Sequence, residues 1–309
     1  MEFSHHHGHD HAHGANKKAL LISFILITSY MIVEGVGGFF TNSLALLADA
    51  GHMLSDSISL GVGLLAFIVG EKAATHQKTY GYQRLEILAA IFNGMTLLII
   101  SILILIAAYK RFFHPPEVAS SGMLFIATIG LVVNIVVAWI LMRNGDTKEN
   151  LNVRAAFLHV LGDLLGSIGA IIAALLIMFF NWGWADPLAS VIVAILISMS
   201  GWKVTKDSLH VLMEGAPKNI DLNDMLHTIK RVTGVKSIHD LHVWSITSGQ
   251  HILTCHVVVD GHLTIHDSQH ILRTIENELQ KKGIGHVTIQ LEHQEHPHRE
   301  SLLCENSHE

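Results

Sequence analysis

The feature that most constrains this chain is a series of six long apolar runs in its first two thirds. A helix that crosses a bilayer needs about 20 predominantly apolar residues, and the runs approach or exceed that length. Because backbone polar groups in lipid must be satisfied within the segment itself, such runs predict transmembrane helices. The six predicted spans are residues 18–40, 43–69, 85–109, 121–142, 152–180 and 187–204.

The composition excludes several classes of protein. Half of the residues are hydrophobic and only 15% are charged, against about 25% charged residues in a typical soluble domain. A soluble globular protein and a disordered chain are therefore excluded. The net charge of −6 and the lack of a basic stripe argue against nucleic-acid binding. Two cysteines, Cys255 and Cys304, cannot form a disulfide framework.

The basic residues between the apolar runs predict the orientation. With both termini in the cytoplasm, the inner segments hold ten Lys and Arg residues and the outer loops hold two, Lys110 and Arg111. Positive charge accumulates on the cytoplasmic side of membrane proteins, so both termini are expected in the cytoplasm. The short loops favour a bacterial inner membrane, with an organelle membrane as the open alternative.

Two of the predicted spans contain ionisable residues, which are expensive at bilayer depth and mark functional sites. The second span holds His52 and Asp56, and the fifth holds His159 and Asp163. Residues four apart lie on one face of a helix, so each helix offers one imidazole and one carboxylate. Together they form a tetrahedral set suited to Zn²⁺, with Co²⁺ and other first-row ions as alternatives. Asp49, one turn earlier, is expected to support the ligands or the entry of the ion.

Other interpretations of this pattern are weaker. Packing residues would explain a single buried His or Asp, but the same His-x-x-x-Asp module occurs on two helices. An intramembrane zinc protease needs His-Glu-x-x-His, which the sequence lacks, so we expect no enzyme. A channel needs weaker binding than four dehydrated ligands provide. A membrane metal sensor or scaffold that binds Zn²⁺ without transporting it stays open as the alternative function.

Three segments resemble the cation diffusion facilitator family: EGVGGFFTNSLALLADAGHMLSDSISLGVGLLAF, TYGYQRLEILAAIFNG and NVRAAFLHVLGDLLGSIGAI. The resemblance extends over about residues 16–294 and is greatest to the zinc-transporting branch, which includes cobalt–zinc–cadmium resistance exporters. It implies an α-helical membrane protein with six transmembrane helices, a C-terminal cytoplasmic α+β ferredoxin-like domain, and a homodimer. It also implies that His52, Asp56, His159 and Asp163 form the transport site.

The soluble part predicts a small α-β-β-α-β domain. Its expected elements are a helix over 221–232, strands over 235–247 and 250–260, a helix over 266–282 and a strand over 286–292. The resemblance implies regulatory metal ligands in this domain, namely His239, His256, His266, His286 and Glu292. Gln290 and the single Cys304 depart from the family pattern, so one cytoplasmic metal site is expected rather than two.

The first residues contain six histidines, interspersed with Gly, Asp and Ala: His5, His6, His7, His9, His11 and His13. A native metal-collecting tail is favoured over an engineered tag or an inert disordered segment, because tags are usually uninterrupted. The predicted organisation is a tail at 1–16, a membrane domain at 17–207, a regulatory domain at 208–296 and a second tail at 297–309.

The site chemistry predicts antiport. Zinc needs deprotonated ligands, so metal and protons compete for the same groups. The chain has no ATP-binding motif, so an ion gradient must supply the energy. We therefore expect an efflux transporter for Zn²⁺, and also for Cd²⁺ and Co²⁺, that exchanges the metal for H⁺ by alternating access. K⁺ stays open as an additional counter-ion. No organic cofactor and no nucleic-acid partner are expected.

Overall fold

A computed structural model describes residues 9–69, 75–114, 116–144, 151–247 and 249–293. Contacts within the chain separate into two units, Met1–Gly81 with Ala89–Thr205, and Tyr82–Leu88 with Lys206–Glu309. The first unit contains most of the long helices, and the second contains the sheet. The described part of the chain therefore has a membrane unit and a separate α+β unit.

Each of the six predicted spans corresponds to one helix. The helices are α1 (His9–Thr41), α2 (Leu44–Val69), α3 (Arg84–Phe113), α4 (Ser120–Asn144), α5 (Leu151–Phe180) and α6 (Ala185–Leu212). Among the described residues, five helices are long and apolar enough to cross a membrane, and the Leu44–Ser55 part of α2 is a shorter apolar helix. Helix α1 begins at His9, so part of the predicted tail is helical.

Four of these helices enclose the region where the ionisable residues lie. Contacts join α1 to α2, α1 to α4, α4 to α5, and α2 to α5, which closes a ring of four helices. Helices α3 and α6 pack against the start of α2 through a buried apolar cluster that includes Ala48, Leu97 and Ile197. The backbones of α3 and α6 approach closely where Gly94 meets Gly201, because neither residue has a side chain to separate them.

The first turn of α2 is held by a residue distant in sequence. The Ser43 hydroxyl donates to Asp186 at 2.6 Å, and the backbone amides of Leu44 and Ala45 donate to the same carboxylate at 2.8 and 3.0 Å. These amides are among the donors that a helix leaves unsatisfied at its N-terminus. Arg111 of α3 lies 3.6 Å from Asp186. We call Ser43, Asp186 and Arg111 the α2 cap, and it ties α2 to α3 and α6.

The α+β unit follows the predicted element order. It contains α7 (Leu222–Lys230), β1 (Ser237–Thr247), β2 (Gln250–Val259), α8 (Ile265–Lys281) and β3 (Ile284–His293). The sheet order is β1-β2-β3, with β1 and β2 antiparallel and β2 and β3 parallel. Apolar residues of both helices, including Ile229 and Ile275, pack with Leu253 and Val257 of the sheet. The predicted α-β-β-α-β fold is confirmed.

Candidate metal centres

The first candidate centre lies between α2 and α5. His52 of α2 and Asp163 of α5 are brought together, with 3.5 Å between His52 Nε2 and Asp163 Oδ1. The Asp163 side chain is 2% exposed and the His52 side chain 19%, so the carboxylate is more deeply buried than the imidazole. Two of the four residues predicted to bind the metal therefore meet across the interface of α2 and α5, although more than 100 positions separate them in the sequence.

The other two predicted ligands lie one turn from these residues. Asp56 is in α2, four positions after His52, and His159 is in α5, four positions before Asp163. Their side chains lie outside the described residues. The same is true of the side chains of the six tail histidines, of which His5, His6 and His7 also lie outside the described backbone.

A group of buried acidic residues adjoins His52 and Asp163. Asp49 is 4% exposed and Glu34 is 1% exposed, and the charged neighbours of Glu34 are Asp49 and Asp163. A Cβ atom built on Gly166 would lie 3.1 Å from Asp49 Oδ1, so the absence of a side chain there leaves room for the Asp49 carboxylate. Asp49 thus lies between helices α2 and α5, where the sequence predicts a supporting residue.

Tyr30 contacts this group of buried acidic residues, and the sequence alone does not indicate that role. Its hydroxyl donates to Glu34 Oε1 at 3.1 Å or to the Ile126 carbonyl oxygen at 2.9 Å, which joins α1 to α4. The one available signal was its position four residues before Glu34 on the same helix face. Asn134 forms an interhelical hydrogen bond, because its side-chain amide donates to the Ser167 hydroxyl of α5 at 3.3 Å.

The second candidate centre lies on the sheet of the α+β unit. His239 Nε2 is 3.3 Å from Glu292 Oε2, and His256 Nδ1 is 2.9 Å from Glu292 Oε1. The two imidazole rings meet edge to face, 5.1 Å apart. His239 and Glu292 are buried. Within the described residues this is the one group of at least three His, Cys, Asp or Glu side chains whose ligand atoms lie within 4.8 Å of each other.

The sheet explains how these three residues meet. His239 and His256 are paired across β1 and β2, and β3 places Glu292 beside Val258, two residues along β2. The helices cover the opposite face of the sheet, where Leu253 and Val257 lie in the apolar core. Gln290 donates to Glu292 Oε1 at 2.8 Å. Gln290 thus orients the carboxylate at the position where the sequence departs from the family pattern.

The other two predicted ligands lie elsewhere. His266 is exposed in the first turn of α8, in an open depression that Asp260 and His270 also line. His286 is exposed on β3, where it pairs with Ile252. Neither belongs to the group formed by His239, His256 and Glu292. Within one copy of the described chain, three of the five predicted cytoplasmic ligands come together.

The donor chemistry of this second group fits zinc. Two imidazole nitrogens and one carboxylate oxygen are ordinary zinc ligands, and structural zinc sites are usually tetrahedral. Three protein ligands leave one position for water or another donor. The buried carboxylate compensates part of the charge of a divalent ion, which would otherwise be costly to bury. The group can therefore hold a divalent ion with three side chains of this chain.

Comparisons with known proteins identify the family to which this chain is similar. Residues 20–213 match the family model described as the cation efflux transmembrane domain, and residues 217–294 match the cation efflux protein cytoplasmic domain. A protein of Bacillus velezensis named cadmium, cobalt and zinc/H(+)-K(+) antiporter is 64% identical, with 98% of this chain and 97% of that protein covered.

More distant relatives have related names. The metal cation efflux system protein CzcD of Cupriavidus metallidurans is 41% identical over 93% of this chain and 89% of its own length. The zinc transporter ZitB of Escherichia coli is 43% identical over 94% of this chain and 93% of its own length. The solved metal-bound C-terminal domain of the CzcD transporter is 42% identical to the matching part of this chain, with a TM-score of 0.22. The match covers 24% of this chain and 99% of that domain.

The transmembrane model alone covers more than half of the sequence, and relatives above 40% identity cover nearly all of it. The predicted resemblance is therefore confirmed, and the chain belongs to the cation diffusion facilitator family, in its zinc, cadmium and cobalt branch.

Proposed function

We propose that this protein is a divalent-metal efflux transporter that exports Zn²⁺, and also Cd²⁺ and Co²⁺, in exchange for protons. The observation that carries the proposal is the approach of His52 and Asp163 across α2 and α5, at 3.5 Å. The names of its relatives, which include an antiporter for cadmium, cobalt and zinc, support the same activity. As a member of a transporter family it has no expected catalytic role.

The transport site in this proposal consists of His52, Asp56, His159 and Asp163, with Zn²⁺ as the transported substrate. Two imidazoles and two carboxylates form a four-coordinate set that suits Zn²⁺. Asp49 lies beside the site as a supporting carboxylate, since it is almost fully buried. The two charges that Zn²⁺ brings match the two carboxylates of the site, which limits the cost of dehydrating the ion.

Proton coupling follows from competition for the same atoms. Zinc binds only deprotonated imidazole and carboxylate, so its arrival releases protons and proton binding releases the metal. If the site opens to one side of the membrane at a time, this competition exchanges cytoplasmic metal for external protons. K⁺ is a second counter-ion to test, because a close relative is named an H(+)-K(+) antiporter.

The direct test is transport of radioactive Zn²⁺ into inside-out proteoliposomes with and without a pH gradient. The wild type is expected to accumulate zinc only with the gradient, and Asp163→Asn to lose accumulation. Ser167→Ala is the matched control, because Ser167 lies one turn further along α5 and contacts Asn134 rather than the site. Unchanged transport by Asp163→Asn would place the transport site elsewhere.

The same experiment separates the transporter from the sensor. A sensor would bind zinc and would move none across the membrane in any gradient. If the same preparation binds zinc but the liposomes accumulate none, the proposed transport function is wrong and the protein is a sensor or scaffold. The approach of ligands from α2 and α5 favours the transporter, because sensing needs no binding site within the membrane helices.

We further propose that His239, His256 and Glu292 bind a single regulatory Zn²⁺ in a homodimer. From residue 210 onward the chain has 8 Lys and Arg against 13 Asp and Glu, so two such domains repel each other. A bound divalent cation lowers this repulsion and favours a closed pair of domains. Spin-label distances between domains of the full-length dimer should shorten with Zn²⁺ in wild type and stay unchanged in Glu292→Ala.

The membrane orientation in this proposal places both termini in the cytoplasm of a bacterial inner membrane. The excess of basic residues in the predicted inner segments supports it. The tail histidines collect metal before it enters the site. Modification of Cys304 by a membrane-impermeant thiol reagent should occur in inverted vesicles and not in intact cells, and the opposite result would reverse the topology.

A further inference from the structure

Asp240 has an unusual backbone for a strand residue. Its φ is +51°, and the other described non-glycine residues with positive φ, Asn42, Asn181 and Glu214, lie outside the strands. A left-handed conformation is uncommon for residues with a side chain, although Asp and Asn tolerate it better than others. Such a conformation persists only where the surrounding structure holds it, and it is often found at functional sites.

The unusual backbone coincides with a bulge in β1. His239 pairs with His256, but the next pair joins His242 to Thr254. Three steps along β1 therefore match two steps along β2, which is one extra residue on β1. Asp240 lies within this extra step.

The bulge decides the direction in which His239 points. Leu241 and Val243 face the apolar core, and strict alternation would place residue 239 on that same face. Instead Ile238 lies in the core, and His239 contacts Glu292 and His256 on the other face. One additional residue thus reverses the alternation of side-chain faces along β1, so that the proposed metal ligand His239 lies on the face opposite the core.

The Asp240 carboxylate makes a smaller contribution. Its Oδ1 is 2.9 Å from His242 Nε2, and its Oδ2 is 3.6 Å from His256 Nε2. The second distance exceeds that of a hydrogen bond, and about a third of the Asp240 side chain is exposed. Solvent screens such a pair, so the backbone conformation is the main effect.

We propose that Asp240 is a positioning residue for the cytoplasmic metal site, because its left-handed backbone turns His239 toward His256 and Glu292. This inference rests on the regulatory site proposed above. Replacement by a residue that resists positive φ favours a regular strand, in which His239 points into the core and the site has only two ligands. Glycine and asparagine tolerate positive φ and preserve the bulge.

The test measures Zn²⁺ affinity in the full-length protein. Asp163→Ala and alanine replacements of the six tail histidines remove competing sites, and competition with a fluorescent chelator gives the dissociation constant. We expect Asp240→Gly and Asp240→Asn to bind within about threefold of this parent, and Asp240→Val to bind about 10 to 100 times more weakly, the usual range for residues that orient ligands. Asp240→Ala should be intermediate.

Each result decides a separate point. Equal affinity in the Gly, Ala and Val variants would overturn the role of the backbone, and a loss in Gly as large as in Val would assign the effect to the carboxylate instead. Asp240→Ala is the milder change if the Val variant fails to fold. If Glu292→Ala leaves the zinc affinity of the parent unchanged, the regulatory site itself is refuted. Without zinc, Asp240→Gly should be at least as resistant to urea as the parent.

Discussion

The α2 cap allows a quantitative prediction for Asp186→Asn. The Asp186 carboxylate is fully buried and accepts three hydrogen bonds, two on Oδ1 and one, from the Leu44 amide, on Oδ2. Asparagine can keep the two bonds to one oxygen, but its NH₂ group then faces the Leu44 N–H. The substitution also removes the charge opposite Arg111, 3.6 Å away.

The magnitude follows from these losses. A buried amide left without an acceptor costs about 1–3 kcal/mol. Arg111 is partly exposed and also donates to Asn42, so loss of the ion pair adds about 0–1 kcal/mol. We therefore expect Asp186→Asn to lower the free energy of unfolding by about 1–4 kcal/mol. Ser43→Ala is the matched control, since it removes one bond to Asp186 and the bond from the Leu46 amide to Ser43 Oγ. Its expected cost is about 1 kcal/mol, typical of a lost N-cap.

The assay is unfolding of the purified protein in mixed micelles with a rising fraction of SDS, followed by tryptophan fluorescence. Arg111→Met, alone and combined with Asp186→Asn, completes a double-mutant cycle, and contacting residues usually show a coupling of about 0.5–3 kcal/mol. The reasoning is refuted if Asp186→Asn costs no more than Ser43→Ala, or if the effects of Asp186→Asn and Arg111→Met add without coupling.

Three further predictions concern packing, pH and reactivity. Gly130→Ala should destabilise the membrane unit by about 1–3 kcal/mol, because the new Cβ would lie 2.3 Å from Tyr30 Oη. Burial lowers the pKa of His251, so the unfolded chain binds a proton that the folded domain does not. The free energy of unfolding in urea, followed by Trp244 fluorescence, should therefore fall as the pH drops below about 6.5. Burial raises the pKa of the Cys255 thiol to about 12, so a thiol reagent at pH 8 should modify Cys255 only after unfolding.

Each of these predictions has a control. Gly169→Ala meets nothing within 4 Å, so it should be neutral or stabilising by up to about 1 kcal/mol, and a cost equal to that of Gly130→Ala would contradict the packing argument. His251→Gln should flatten the pH dependence, and an unchanged slope would assign it to other groups. Rapid labelling of Cys255 in the folded protein would show that the thiol is accessible.

The sequence by itself determined the secondary-structure elements of this protein and the types of side chain offered for metal binding. Hydrophobic runs of bilayer length predict the six helices because lipid cannot satisfy backbone polar groups. The spacing of His52 and Asp56, and of His159 and Asp163, places each pair on one helix face by local geometry alone. The alternation and turn signals after residue 210 likewise predict the α-β-β-α-β order, since these signals are local.

The tertiary structure decided which distant residues meet. Asp186 caps a helix that begins 142 positions earlier, and nothing in its local sequence reveals that contact. His239, His256 and Glu292 form one group while His266 and His286 lie apart, although the family resemblance implied His266 as well and offered His286 as an additional candidate. One extra residue at Asp240 makes the difference for His239, because the face of a strand residue depends on the pairing register, and register is fixed by the neighbouring strand and the core rather than by the segment itself.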